Sequence, residues 1–400
     1  MLLEARLPDR ETTDRFQQLM LPHLDAAYNL AYWLARNGYF VTVVERSGSV
    51  RSSGSPVDVR GPAVDVAERM SVATRLREAS IRLKGMTLLD AGGRRVARVD
   101  IAALRSSIVP KDMEIARGDL ARILHEASAN DTDYIFGDSV KALTQNELGV
   151  DVTFERSRPR RFDLVIGADG LHSIVRRLAF GADSEFVQHA GLYAATISLP
   201  GSSDGEGEMF MLNTPGKLAA LHPCQGVPLA YFVFWHPEIP EFDYTDLNQH
   251  KRILERTFAG IGWRVPEFLN AVHIARDMYF DSVARVDVAT WARGRIALLG
   301  DASSCVSLFG DGSTLAIAGA YELAKALMES PADPQGAFRR YQAVHAKLVA
   351  SKQKNLISTA SRIVPRTSTG IWLSTRVFWR TMGGLGTVVR LGRKLRGKSW

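Results

Sequence analysis

The chain has 400 residues, of which 46% are hydrophobic and 23% charged. That balance excludes disordered and fibrous classes and leaves room for two or three folded domains. Only Cys224 and Cys305 are present, far apart and in no CxxC pair, which excludes a disulfide framework or a zinc ribbon and predicts reduced thiols in a cytoplasmic protein. The net charge of +7 is unevenly placed: from Pro334 to Trp400 there are fourteen Lys and Arg and no Asp or Glu, so the remainder carries 36 basic against 43 acidic residues. An acidic body with a basic tail is a statement about partners and not about fold.

In chain order, Met1 to Arg15 carries both signs of charge without an apolar core, unlike a secretory leader, and Glu11 to Met20 reads as helical. The apolar run from Phe16 to Val44 is interrupted by Asp25, Arg36 and Asn37, too often for a membrane-spanning helix. Asn29 to Arg36 predicts a helix stopped at Gly38, and Phe40 to Val44 a β-branched strand ending in Glu45. Asp119 to Ala127 predicts a helix, and Tyr134 to Phe136, Val150 to Phe154 and Phe162 to Ile166 predict strands. Between Gly191 and Trp235 the texture changes to short strands (192–199, 209–212, 217–221 and 229–235) broken by Gly, Pro, Ser and Asn, as in an antiparallel sheet. Arg295 to Leu299 returns to a buried strand and Thr314 to Met328 to an Ala- and Leu-rich helix. The pattern predicts an α/β fold, α+β overall: a Rossmann-like parallel-sheet domain from 1–178 and 276–345, an inserted antiparallel substrate domain over 179–275, and a basic helical tail over 346–400. No internal repeat or low-complexity tract interrupts it.

Three segments carry chemistry. A carboxylate at the end of an apolar strand, as at Glu45, can accept from the two hydroxyls of a ribose; taken alone it is equally a strand that happens to end in a charge. Asp163 to Gly170, followed by Ser173, Val175 and Arg176, delivers Gly-Ala-Asp-Gly into a tight turn where backbone comes close to a ligand. Gly300-Asp301 repeats the device and offers a carboxylate to a ribityl or sugar hydroxyl. Gly310 and Gly312 then lead into a helix whose free N–H groups suit a pyrophosphate or flavin edge. The nine histidines form no HExxH or HxH pair, no metal set is evident, and His172 reads as a surface turn residue. Phe210, Phe232, Phe234 and Trp235 alternate along the antiparallel segment, either lining a flat apolar pocket or packing a core.

From about Ala31 to Met328 the chain resembles the para-hydroxybenzoate hydroxylase family of flavin monooxygenases, in its aromatic and polyketide hydroxylase-like branch. The likeness rests on Tyr32 to Gly38, Val43 to Arg46, Val57 to Pro62, Ile115 to Leu120 and the Asp-Gly and Gly-Asp segments. It implies FAD as cofactor, NADPH or NADH as reductant, O2 as oxidant and a small aromatic substrate. It further implies that Glu45 and the adjoining Arg46 serve the adenosine end, Arg117 the phosphate-ribityl region, Asp169 and Gly170 both flavin and nicotinamide coenzyme, and Asp301 the ribityl chain.

The departures lie at the start and in one loop. A GxGxxG turn counted back from Glu45 would put glycine at 22, 24 and 27, where this chain has Pro22, Leu24 and Ala27. Ala27 suits close helix packing, but Leu24 crowds the pyrophosphate and Pro22 removes a donor. Losing charge-assisted hydrogen bonds of ~1.5–3 kcal/mol each would weaken cofactor binding severely. Three readings stay open: about 25 residues that are a frame-shifted or mis-started version of an ordinary enzyme, a degenerate relative that binds no flavin and serves a binding or interaction role, and an enzyme with an altered turn. The loop from Gly300 to Gly312 also lacks the family's proline and is about one residue short. The tail interleaves Ile371-Trp372-Leu373, Val377-Phe378-Trp379 and a cluster from Arg393 to Lys398, which allows peripheral contact with anionic lipid or packing on the body; no nucleic-acid motif accompanies the charge.

Overall fold

The computed structural model describes residues 2–6, 16–20, 24–50, 55–103, 111–201, 207–224, 227–305, 311–354 and 356–379. Leu2–Arg6 and Phe16–Met20 form an antiparallel hairpin, Leu2 opposite Met20 and Arg6 opposite Phe16. The helical expectation for Glu11 to Met20 therefore fails over 16–20, where cross-strand pairing satisfies the backbone and overrides local propensity; its earlier part lies outside the described residues. The helix expected from Asn29 starts a turn sooner, at Leu24, and runs to Ala35. Tyr28, Leu30, Ala31 and Leu34 on it are fully buried; it packs against the helices Asp311–Glu329 and Arg117–Ser128.

Two parallel strand pairs flank the hairpin. Val41–Glu45 pairs with Thr132–Phe136, Glu45 opposite Phe136, and Val165–Gly167 pairs with Ile296–Leu298, Gly167 opposite Leu298. One hairpin strand lies beside Val41–Glu45 and the other beside Val165–Gly167. The strand predicted over Phe162 to Ile166 splits. Arg160–Phe162 belongs to an antiparallel three-stranded sheet with Gly149–Phe154 and Val140–Asn146. At Asp163 the chain leaves that sheet: its carbonyl accepts from Arg295 at 3.1 Å, and the Val165 N–H donates to the Arg295 carbonyl at 3.0 Å.

A seven-stranded sheet forms the other half, in the order Tyr279–Val286, Val187–Ser198, Leu229–Trp235, Lys217–His222, Glu208–Thr214, Gly85–Leu89, Arg95–Asp100. It takes in strands from both sides of the 179–275 span. Alternate residues divide between its faces, as the strand period of two requires. Leu192, Met211, Leu218, Ala220, Val233 and Val283 join the main core with the half that carries the parallel strand pairs. Tyr193, Leu221, Phe232, Phe234 and Phe280 pack on the opposite side with Leu254, Phe258, Phe268 and Val272, the last four from the helices Leu247–Phe258 and Val265–Ile274. Phe232 and Phe234 are fully buried there, each worth roughly 1.5–3 kcal/mol of apolar transfer, and Phe210 packs against the same cluster. These rings are core, not pocket lining. Trp235 donates its indole N–H to the Val364 carbonyl at 2.7 Å.

Pro334–Gln353 returns along the preceding helix. Gly319 permits that approach, because a Cβ there would meet the His345 ring at 2.7 Å. Leu356, Ala360 and Val364 are buried in the main core, so the start of the basic tail packs on the body. Farther on, Trp372 and Leu373 are both 53% exposed, and Arg376 lies 4.7 Å over the Trp372 ring. The cluster from Arg393 to Lys398 lies outside the described residues. Among those described, no helix is long and apolar enough to cross a membrane, and no group of His, Cys, Asp and Glu could hold a metal. Cys224 and Cys305 are both buried and form no disulfide.

Candidate cofactor groove

The carboxyl ends of the parallel strands bring the three motifs together. Glu45 ends its strand nearly buried, one carboxylate oxygen accepting from the Ser47 N–H at 2.8 Å. Arg46 points the other way, 3.4 Å from the Tyr244 hydroxyl. Tyr244 stacks on His172 with ring centroids 3.7 Å apart and planes 5° from parallel. His172 is a partnered residue and no simple surface turn: its Nε2 lies 2.9 Å from the Asp281 carboxylate.

The Asp-Gly turn spends its carboxylate on itself. Asp169 accepts from the Ser173 hydroxyl and, at 2.8 Å, from the Val175 N–H. Gly170 takes φ +74°, a conformation that glycine adopts without strain. Arg176, fully buried, donates to the Leu171 carbonyl at 2.6 Å, the Asp183 carboxylate at 2.6 Å and the Ala302 carbonyl at 3.0 Å. It thus fastens the Asp-Gly segment to the Gly-Asp segment. This role of Arg176 was not legible from its motif; the only signal was the pair Arg176-Arg177 in an otherwise apolar run.

At Gly300, φ is +63° and the backbone turns directly into Asp301. Asp25, Arg117, Asp301, Gly312, Ser313 and Ala316 line a cavity of about 10 Å³, room for about one water. Three helices open on it: Asp25 and Arg117 stand in the first turns of Leu24–Ala35 and Arg117–Ser128, and Gly312 and Ser313 in that of Asp311–Glu329. Their free N–H groups and aligned dipoles favour anions. Burial drives the Asp301 carboxyl up to about 6, with Asp25 adding to the rise and Arg117 opposing it. Burial likewise raises Asp25, against Arg117 and a hydrogen bond from Ser313. Gly310 lies outside the described residues, as do Pro22 and the side chain of Leu24.

These residues fit most of a flavin dinucleotide. Glu45 can accept from a ribose, Arg117 faces anionic groups, and backbone without a Cβ is available at Gly300 and Gly312. Ala27, fully buried, suits the close packing asked of a third glycine. Asp25 is the exception, a carboxylate where phosphate would be expected.

Residues 28–332 match the family described as FAD binding domain. A Mycobacterium tuberculosis protein, Rv1260, is 37% identical over 78% of this chain and 85% of its own length. A flavin-dependent monooxygenase of Legionella longbeachae is 32% identical over 81% of this chain and 84% of its own length. The crystal structure of tetracycline destructase Tet(51) superposes with a TM-score of 0.79 at 28% identity, covering 93% of this chain and 97% of that one. None of these likenesses supports a flavin-free binding protein. The chain belongs to the FAD-dependent class A monooxygenases, the para-hydroxybenzoate hydroxylase family, and is a flavin hydroxylase acting on a small molecule.

Proposed function

We propose that this hydroxylase oxygenates an electron-rich aromatic or polyketide-like molecule bearing an acidic hydroxyl, held between the inner face of the seven-stranded sheet and the cofactor groove. The observation that carries the reading is a polar cluster on that inner face. His222, 3% exposed, sets its Nε2 2.8 Å from Glu114, and its Nδ1 is buried with no hydrogen-bond partner among the described residues. Tyr231 lies beside it, ring centroids 5.6 Å apart, with Ser55 and Thr196 nearby, their hydroxyls 3.2 Å from one another. A carboxylate on Nε2 favours the tautomer with a free Nδ1 lone pair, which can accept from a phenol or enol and leave the ring richer in electrons. The likeness to a tetracycline destructase, an enzyme named for a polyketide, supports the substrate class.

In this reading Glu45 and Arg46 hold the adenosine end of FAD, Arg117 its phosphates, Asp301 its ribityl hydroxyls, and Gly300 and Gly312 give its rim bare backbone. The Asp169-Gly170 turn fixes the wall beside it. FAD, when bound, supplies the activation of O2 with electrons from NADPH or NADH. The test begins with the visible absorption spectrum of the protein mixed with FAD. NAD(P)H oxidation is then measured with a panel of phenols, enols and their O-methyl ethers. Stimulation by the free hydroxyls alone is expected, and His222→Gln should raise KM for them at least tenfold without changing FAD affinity. Equal stimulation by the ethers, or an unchanged KM, overturns the role given to His222.

A further inference from the structure

The anion-favouring cavity already contains a carboxyl group of the chain's own. Asp25 is 2% exposed. One carboxylate oxygen accepts from the Ser313 hydroxyl at 2.5 Å; the other is buried and has no partner among the described residues. Buried carboxylate oxygens are ordinarily satisfied, and this one faces a space lined by Arg117, by Asp301 and by the first turn of a nineteen-residue helix. A dinucleotide phosphate would seek the same surroundings: an arginine, helix N-termini and a hydroxyl donor.

We infer that Asp25 is a built-in competitor for the phosphate end of the FAD groove, so that cofactor binding takes up a proton on it. The inference rests on the FAD reading of the groove. An ionised Asp25 repels a phosphate in a desolvated cleft and holds the electrostatic attraction of Arg117; a neutral one does neither.

The charges around the cavity are predominantly negative. Arg117 faces Asp25 from the neighbouring helix, Asp301 from the Gly-Asp turn, and Tyr28 from its own helix. Glu45 adds negative charge at Tyr28, Asp281 and Tyr279 border Asp301 from the sheet, and Asp311 is neutralised by Lys352 at 3.0 Å. Acids outnumber the cations around the cavity, so proton uptake is favoured whenever another anion enters. Asp25 and Asp301 titrate as a coupled pair, and a variant is needed to separate their shares.

The experiment is a titration of the full-length apoprotein with FAD, followed by flavin fluorescence, at pH values from 5.5 to 8.5. Wild type, Asp25→Asn, Asp25→Ala and the charge-retaining Asp25→Glu are compared, with thermal unfolding verifying that each is folded. Wild-type affinity should fall with rising pH, by at most tenfold per unit for one linked proton. Asp25→Asn or Asp25→Ala should bind at least tenfold tighter at pH 8 with a flatter profile, while Asp25→Glu keeps the wild-type slope. If all four bind with one slope and one affinity, the proposal fails and the FAD reading stands. If folded protein of every kind ignores FAD even at pH 5.5, both fail together.

Discussion

Asp169 and Asp25 both sit where the chain passes into a helix at the edge of the nucleotide-binding half, yet their surroundings are opposite. The Asp169 carboxylate takes bonds from Ser173 and Val175 within its own turn, and Arg176 ties that turn to the neighbouring loop. Asp25 has one donor, Ser313, and one orphaned oxygen. A satisfied carboxylate is architecture, because its charge is consumed by the fold. An orphaned one at the bottom of a cleft costs stability, and such costs concentrate where a site needs them. The same residue type thus builds one wall of the groove and obstructs the other.

Breaking the architectural side should have the largest effect. Arg176→Met removes three charge-assisted hydrogen bonds from a fully buried position, so a loss of about 4 kcal/mol is expected by urea unfolding. A loss under 1 kcal/mol would show that the staple between the two loops is ornamental. On the strained side the sign reverses. The folded Asp301 carboxyl titrates at about 6 against about 3.9 when unfolded, so the native state binds more protons within that window. Stability therefore falls as pH rises from about 4 to 6 and stays lower above. Two pKa units correspond to roughly 2–3 kcal/mol, and Asp301→Asn should recover much of that in the apoprotein at pH 8 and little at pH 4. His345, driven down by burial to about 4, works oppositely: its contribution is complete above about 6.5 and is lost as pH falls toward 4. The Asp301 effect is accordingly read as variant minus wild type at each pH, and a pH-independent difference would refute it.

The residues that sequence alone made legible are those whose position follows from local period. Leu229–Trp235 and the helix continuing to Glu329 were readable from alternation and from an unbroken Ala-Leu pattern. Glu45, Gly300 and Asp301 were readable because an apolar strand must end and its end must point somewhere. The alternation of Phe232 and Phe234 told that the strand has two faces but not which face the helices would cover. The split at Asp163 depends on Arg295, 132 residues away, and the pairing of His222 with Glu114 spans 108. Asp25 was legible only as a charge interrupting an apolar run. Its significance comes from Ser313 and Arg117, which reach it only after the three helices converge.

The finest test of the contrast compares two serines that donate to the two carboxylates. Ser173 both donates to Asp169 and accepts from the Arg176 N–H at 2.9 Å, so Ser173→Ala should cost about 1 kcal/mol, the usual value of a lost helix cap. Ser313 does one thing for Asp25, stabilising its ionised form. Ser313→Ala should raise the carboxyl further, so that it costs more stability at pH 8 than at pH 5. Thermal unfolding of both variants at the two pH values decides the matter. A Ser313→Ala cost that is equal at pH 5 and pH 8 would mean that its hydroxyl serves packing, and that Asp25 keeps its charge without help.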